Sequence, residues 1–168
     1  MNIVYRKGSP QEKEALQQLG ILSYSQFKNV LPPDDWQTMH HFLHNDKMWD
    51  KLVNGSAIFV CEDKTNVKLA GMAYLVPSGN PTHIYPADWS YVRMVGVDPA
   101  YRGKGIAKRL TQICVDHARQ TNEKIVGLHT SEQMNDARHI YESIGFVIDK
   151  EIDPIYGMKY WLYRLDLA

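Results

Sequence analysis

The chain has 168 residues, 44% hydrophobic and 23% charged, with 19 basic side chains balanced by 19 acidic ones. That length suits one core. The composition lacks both the basic excess of a nucleic-acid binder and the ~18-residue apolar run of a membrane span. A single domain over residues 1–168 is expected, with no nucleic acid and no membrane as partner. Cys61 and Cys114 lie in apolar stretches, which predicts buried free thiols. Met1 to Gly8 has no apolar leader, so a reducing cytoplasm is expected.

In chain order, Ile3 to Arg6 reads as a strand. Ser9, Pro10 and Glu12 form a capping-box pattern. A helix follows, carrying Ala15, Leu16, Leu19, Leu22 and Tyr24. Leu31-Pro32-Pro33 breaks the chain, and a second helix starts near Asp34 or Asp35 with Trp36, Met39, Phe42 and Leu43 on it. Ser56 to Cys61 and Lys68 to Val76 read as a hairpin around the Asp63 to Asn66 turn. A Pro- and Gly-containing loop over Pro77 to Pro86 leads to a strand over Trp89 to Val97. Helix three, Gly105 to Gln120, repeats Ile106, Leu110, Ile113, Cys114 and Ala118 at helical spacing. A strand over Lys124 to Thr130 and a helix over Met134 to Ile144, stopped by Gly145, follow. Phe146 to Glu151 and Gly157 to Leu167 close the chain as strands. The order β-α-α-β-β-β-α-β-α-β-β is α/β, with one parallel crossover through helix three.

The most informative segment is Val95-Gly96-Val97-Asp98-Pro99-Ala100-Tyr101-Arg102-Gly103-Lys104-Gly105-Ile106-Ala107. A strand ends, a turn follows, and a helix begins after two glycines. The first turn of a helix has unpaired N–H groups and the positive end of its dipole. With no side chains in the way, such a turn cradles a pyrophosphate. Arg102, Lys104 and Lys108 add positive charge. The dinucleotide fingerprint would need glycine or alanine at Lys108, and the P-loop pattern is also absent.

Arg102-x-x-Gly105-x-Ala107 resembles the coenzyme A loop, Gln/Arg-x-x-Gly-x-Gly/Ala, of the GNAT acyltransferases. Ala137 to Phe146, with Tyr141-Glu142 and Gly145-Phe146, is similar to that family's Ala-x-x-x-Tyr-Glu-x-x-Gly-Phe helix end. The two motifs and their strands cover about residues 89 to 148. The resemblance implies a GNAT-type fold with six to seven mostly antiparallel strands, about four helices and splayed central strands. It implies acetyl-CoA as co-substrate and no metal, with the acetyl group passing directly to an amine in a ternary complex. The acceptor is a small-molecule or protein amine, and the chain a monomer or homodimer, for which Lys159 to Leu165 offers a strand to pair across a dimer.

By the same resemblance, the amides of Arg102, Gly103, Lys104, Gly105, Ile106, Ala107 and Lys108 hold the pyrophosphate. Val95, Gly96 and Val97 flank the pantetheine arm, with Gly96 admitting a close approach. The Val95 N–H faces the thioester carbonyl. Tyr141 is the general acid, since a phenol of pKa near 10 can donate to a thiolate of pKa about 8.5. Many relatives carry Asn where Met134 stands; Asn135 is carried as a cofactor contact, although ~100° of helical rotation would turn it elsewhere. Asp88, Tyr91 and His129 are candidates for the base. Trp36, Trp49, Tyr156, Tyr160 and Trp161 are expected to wall the acceptor cleft, an aromatic setting for a cationic amine, with Asp34, Asp35, Glu132 and Asp153 adding negative charge. His40 and His44 share a helix face, but His41 stands where a zinc protease needs Glu. A second function class fits the same motifs: a coenzyme-binding module without transfer activity.

Overall fold

Alternation along the strands sets the layering. A computed structural model describes residues 2–167. In β2 (Ala57–Asp63) and β3 (Lys68–Val76), Ile58, Val60, Met72 and Tyr74 pack on one face with Leu16, Leu19, Trp49 and Leu52. Phe59, Cys61, Ala73 and Leu75 face the other way, onto Ile106, Leu110, Cys114 and Val115. Successive side chains point to opposite faces, so a strand apolar at every position becomes the middle layer between two layers of helix.

The sheet has seven strands in the order β1-β2-β3-β4-β5-β7-β6. The others are β1 (Ile3–Lys7), β4 (Ser90–Val97), β5 (Ile125–Ser131), β6 (Val147–Ile155) and β7 (Met158–Asp166). Every neighbouring pair is antiparallel except β4 and β5, the pair joined through a helix. β7 therefore lies between β5 and β6, and Lys159 to Leu165 is not free to pair across a dimer. The sheet edges are β1 and β6.

The helices are α1 (Lys13–Tyr24), α2 (Pro33–Leu43), α3 (Asp46–Gly55), α4 (Ile106–Gln120) and α5 (Asn135–Ile144). None among the described residues is long and apolar enough to cross a membrane. The capping box at Ser9 and Glu12 is present; it opens a 3₁₀ turn that leads into α1. Gly145 ends α5 in the left-handed region. α3 goes beyond the four helices expected. Its signals are the Asn45 cap, which accepts from the Met48 N–H, and the i, i+3, i+4 run of Trp49, Leu52 and Val53. Trp49 is thus a core residue and not a cleft aromatic. It is fully buried, and its Nε1 donates to the Leu43 carbonyl at 2.8 Å.

The sheet opens at its centre. β4 pairs with β5 only at Ser90↔Val126 and Tyr91↔Gly127, whereas β5 stays paired to β7 as far as Ser131. A bulge comes a few residues further along β4. Met72 pairs with Gly96 and Tyr74 with Arg93, so Met94 and Val95 together face the single Ala73. Met94 has φ 52, a left-handed conformation that a bulge can demand and that turns the strand out of its plane. The expected splay is present.

Replacing Trp49 by alanine should lower unfolding free energy by about 3–5 kcal/mol. A urea titration should register this as an earlier midpoint, with the protein still folded in buffer.

Candidate active site

The parted strands enclose a cavity of about 910 Å³. Its lining includes Val92, Leu128 and Tyr141 from the α4 side of the sheet, and Tyr24, Met39 and Tyr160 from the α1 side. It therefore passes through the gap between β4 and β5. One end lies at the turn before α4, the other at the loop around Tyr85 and the β6–β7 hairpin.

At the first end, Gly103 and Gly105 have φ 79 and φ 75, and open space lies where a side chain would stand on either. No side chain caps α4. The N–H groups of its first turn are thus available at the cavity mouth. Arg102, Gly103, Gly105, Ile106 and Ala107 line the cavity. Lys104 and Lys108 are exposed on the same turn outside the lining. Arg102 is tied down: its Nη2 donates to the Ser23 carbonyl at 3.0 Å.

The turn is braced from below. Asp98 accepts from the Ala100 N–H at 2.9 Å and meets Lys68 at 3.1 Å. The Tyr101 hydroxyl donates to Asp63, which also accepts from Asn66. These two donors, Tyr101 foremost, hold the Asp63 carboxyl down at about 2. None of these contacts uses the amides of the glycine turn.

Val95, Gly96 and Val97 line the gap, as does Asn135. The Tyr24 hydroxyl donates to the Val95 carbonyl at 3.5 Å. A Cβ on Gly96 would stand 2.7 Å from the Ser23 Oγ, so what the missing side chain admits is α1. Met134 lines the cavity beside Asn135, because it precedes the helix with φ -108 and ψ 52. The helical offset between the two therefore does not apply. Tyr141 is buried between the layers, and burial raises its phenol well above the ordinary value.

The second end is where sequence reasoning missed most. Tyr156 and Tyr160 line it, but Trp36, Trp49 and Trp161 do not. Trp161 carries the Arg138 guanidinium 4.1 Å from its ring, and Trp36 packs against His40. His44 stacks on His40 at 4.1 Å and bonds its carbonyl through Nδ1. Asp34, Asp35, Glu132 and Asp153 are all outside the lining. The unforeseen members are Tyr24, His83, Tyr85 and Arg93. Arg93 was visible as the one charge in the otherwise apolar run Tyr91-Val92-Arg93-Met94-Val95.

Of the base candidates, Asp88 is exposed and outside the cavity. The Tyr91 hydroxyl donates to the Asn80 carbonyl at 3.0 Å, and its ring stacks on Tyr85 at 4.0 Å. His129 lines the cavity with its Nδ1 2.6 Å from the Tyr85 hydroxyl. Burial, then Arg93 and His83, hold His129 at about 4, so the ring is neutral at neutral pH. Burial also keeps Tyr85 protonated. Tyr85 is then the donor, Nδ1 the acceptor, and the imidazole proton lies on Nε2.

Parted parallel strands running down to an uncapped, glycine-flanked helix start leave main-chain N–H groups open beside an extended strand. The family model described as Acetyltransferase (GNAT) family matches residues 21–146, and the chain belongs to that family. N-alpha-acetyltransferase 30 of Saccharomyces cerevisiae is 33% identical over 66 residues, which is 39% of this chain and 38% of the relative. A mycothiol acetyltransferase of Thermomonospora curvata is 37% identical over 65 residues, 39% of this chain and 22% of the relative. The matches thus span well under half of these relatives. Among solved structures, the PaiA N-acetyltransferase of Thermoplasma acidophilum in complex with coenzyme A has TM-score 0.77 at 16% identity, covering 99% of this chain and 100% of the other. A chain of the NatC complex bound to Gag peptide and CoA has TM-score 0.70 at 21% identity, covering 100% of both. At these identities the likeness is one of fold.

Asp63 is held below its unfolded value of about 3.9. A depressed carboxylate adds stability that is full above the unfolded value and is lost as pH falls through the folded one. Thermal midpoints should therefore drop between about pH 4 and about 2. In Asp63→Asn that slope should be shallower and the neutral-pH midpoint lower.

Proposed function

We infer that the chain transfers an acetyl group from acetyl-coenzyme A to an amine, both bound in one cavity. The observation that carries this is a continuous passage from an uncapped helix start, through the strand gap, to a polar pocket on the other face. The residues fit the donor: the bare space at Gly103 and Gly105 leaves room for phosphate against the main chain. The Arg102 N–H is taken by the Pro99 carbonyl at 3.4 Å, so the amides from Gly103 to Lys108 would hold the pyrophosphate, while Lys104 and Lys108 draw the anion in from outside. Val95, Gly96, Val97 and Asn135 would flank the arm. The donor supplies an activated acyl group as a thioester.

The chain's own residues do the rest. Val95 belongs to the bulge, where ladder pairing is interrupted, and its N–H is the donor we assign to polarise the acyl carbonyl. Such a donor typically contributes a few kcal/mol in the transition state. The acceptor nitrogen attacks uncharged; the nitrogen–carbon bond forms, the carbon–sulfur bond breaks, and the nitrogen loses a proton while the sulfur gains one. Tyr141 supports the second half. Its raised pKa keeps the phenol protonated, so it acts as a hydrogen-bond donor to the leaving sulfur as charge builds there, and any proton it passes on is replaced, through water, by the one the amine loses. His129 is a poor base in its present tautomer, because Tyr85 occupies its acceptor nitrogen. Water relayed along the polar lining suits the removal of the amine proton better. The acceptor is a small-molecule or protein amine; the relatives' names include both kinds of acetyltransferase.

Tyr141→Phe should lower kcat by about 10²-fold with little change in the KM for acetyl-CoA, measured by thiol release over an amine panel. Gly105→Val, forced into φ 75, should lose acetyl-CoA binding by calorimetry. No binding heat with the unaltered chain at millimolar acetyl-CoA would defeat the assignment.

A further inference from the structure

Arg93 is a cation without a partner. It sits in the middle of β4, half-buried, and lines the cavity. Among the described residues its side chain makes no hydrogen bond and no ion pair. Arg6, Arg102, Arg138 and Arg164 all find acceptors. A partly desolvated guanidinium left alone costs free energy that a bound anion would offset.

Its surroundings cannot serve as that anion. Tyr24, Tyr85, Tyr91, Tyr156 and His129 all lie within reach of its charge. Burial holds each of the four phenols protonated even against that charge; Tyr24 is pushed up to about 12. His129 is neutral. The sole carboxylate in the cavity lining is Asp136, exposed on the first turn of α5 and not in contact with Arg93. The acceptor end therefore presents one fixed positive charge, a set of neutral phenols and no negative charge. A cationic cage would have the opposite polarity.

We propose that Arg93 selects acceptors that carry a carboxylate, so that the substrate is an amine with an acid group, as in an amino acid or an acidic peptide. The planar guanidinium binds a carboxylate through two parallel N–H donors. The neutral phenols of Tyr24 and Tyr156 lie near the guanidinium and do not compete with a carboxylate for it. Pairing at Arg93 also orients the acceptor, since the residue lies two positions before Val95 on the strand that flanks the transfer point. This rests on the transferase assignment above and narrows its substrate.

The test compares matched acceptors: free amino acids against their α-carboxamides, and short peptides bearing Glu against the same peptides bearing Gln. Thiol release is followed for the unaltered chain, Arg93→Gln and Arg93→Lys, with acetyl-CoA binding to the unaltered chain measured separately by calorimetry. The carboxylate member of at least one pair should be preferred by about 10- to 100-fold in kcat/KM, mainly through KM. Arg93→Gln should erase that preference, and Arg93→Lys should restore part of it. Which pair responds tells the free acid from the peptide. Acetyl-CoA binding and thiol release with no preference in either pair would overturn the role of Arg93 alone. An unchanged preference in Arg93→Gln would do the same. Absence of acetyl-CoA binding would instead strike the transferase assignment itself. The comparison within the unaltered chain decides the matter even if the variants fold poorly.

Discussion

One extra residue in β4 governs the architecture of the site. Met94 adopts φ 52, and with Val95 it takes the place that one residue would fill opposite Ala73. A left-handed residue other than glycine costs about 1–2 kcal/mol, so the surrounding packing must hold it. Met94 packs among partly buried apolar groups on the α1 side. Tyr24 bonds the Val95 carbonyl, and Gly96 lets Ser23 come close. α1 thus presses against the very segment that bends. The outcome is a strand that leaves its parallel neighbour after two residue pairs and a passage through the sheet that an unbroken ladder would have sealed.

The glycine turn illustrates the complementary requirement, that an open main chain still be rigid. Its amides from Gly103 onward are open because Gly103 and Gly105 carry nothing over them and no side chain caps α4. Free amides bind well only if their positions are settled beforehand. Asp98, Lys68, Tyr101, Asp63 and Arg102 do this from the flanks, through side-chain contacts that leave the amides alone. The turn is held by its neighbours on β2, β3 and α1 and exposes only what a phosphate would touch.

Apart from Asp136 on the first turn of α5, the charge along the passage is positive. The helix start presents the positive end of a dipole, and the far pocket presents Arg93 among protonated phenols. The carboxylates that the sequence offered for the acceptor pocket are elsewhere; Glu132, for instance, accepts from the Lys159 N–H. The acids expected to make the pocket a setting for a cationic amine are thus not among its walls. The reason is geometric: Asp34, Asp35 and Asp153 lie in regions near the pocket by chain order but outside its walls.

Local signals in the chain were sufficient for all but one of the main elements and for the glycine turn before α4. Period-two and period-3.6 patterns set out the strands and most helices. The Ser9 box, the stop at Gly145 and the glycine turn were legible because each is a short-range demand of backbone geometry. The third helix was hidden because Trp49 has the same apolar side chain whether it fills a core or walls a cleft. The position of β7 between two strands, and so its unavailability to a partner, is a matter of strand order, which no short window contains. The bulge at Met94, the burial that keeps Tyr141 and Tyr24 protonated, and the isolation of Arg93 all arise from residues far apart in the chain meeting in space. The sequence by itself determined which segments bend, coil and extend, since those depend on neighbouring residues. Only the tertiary structure decided which charges are left unpaired inside, because pairing is set by distance after folding.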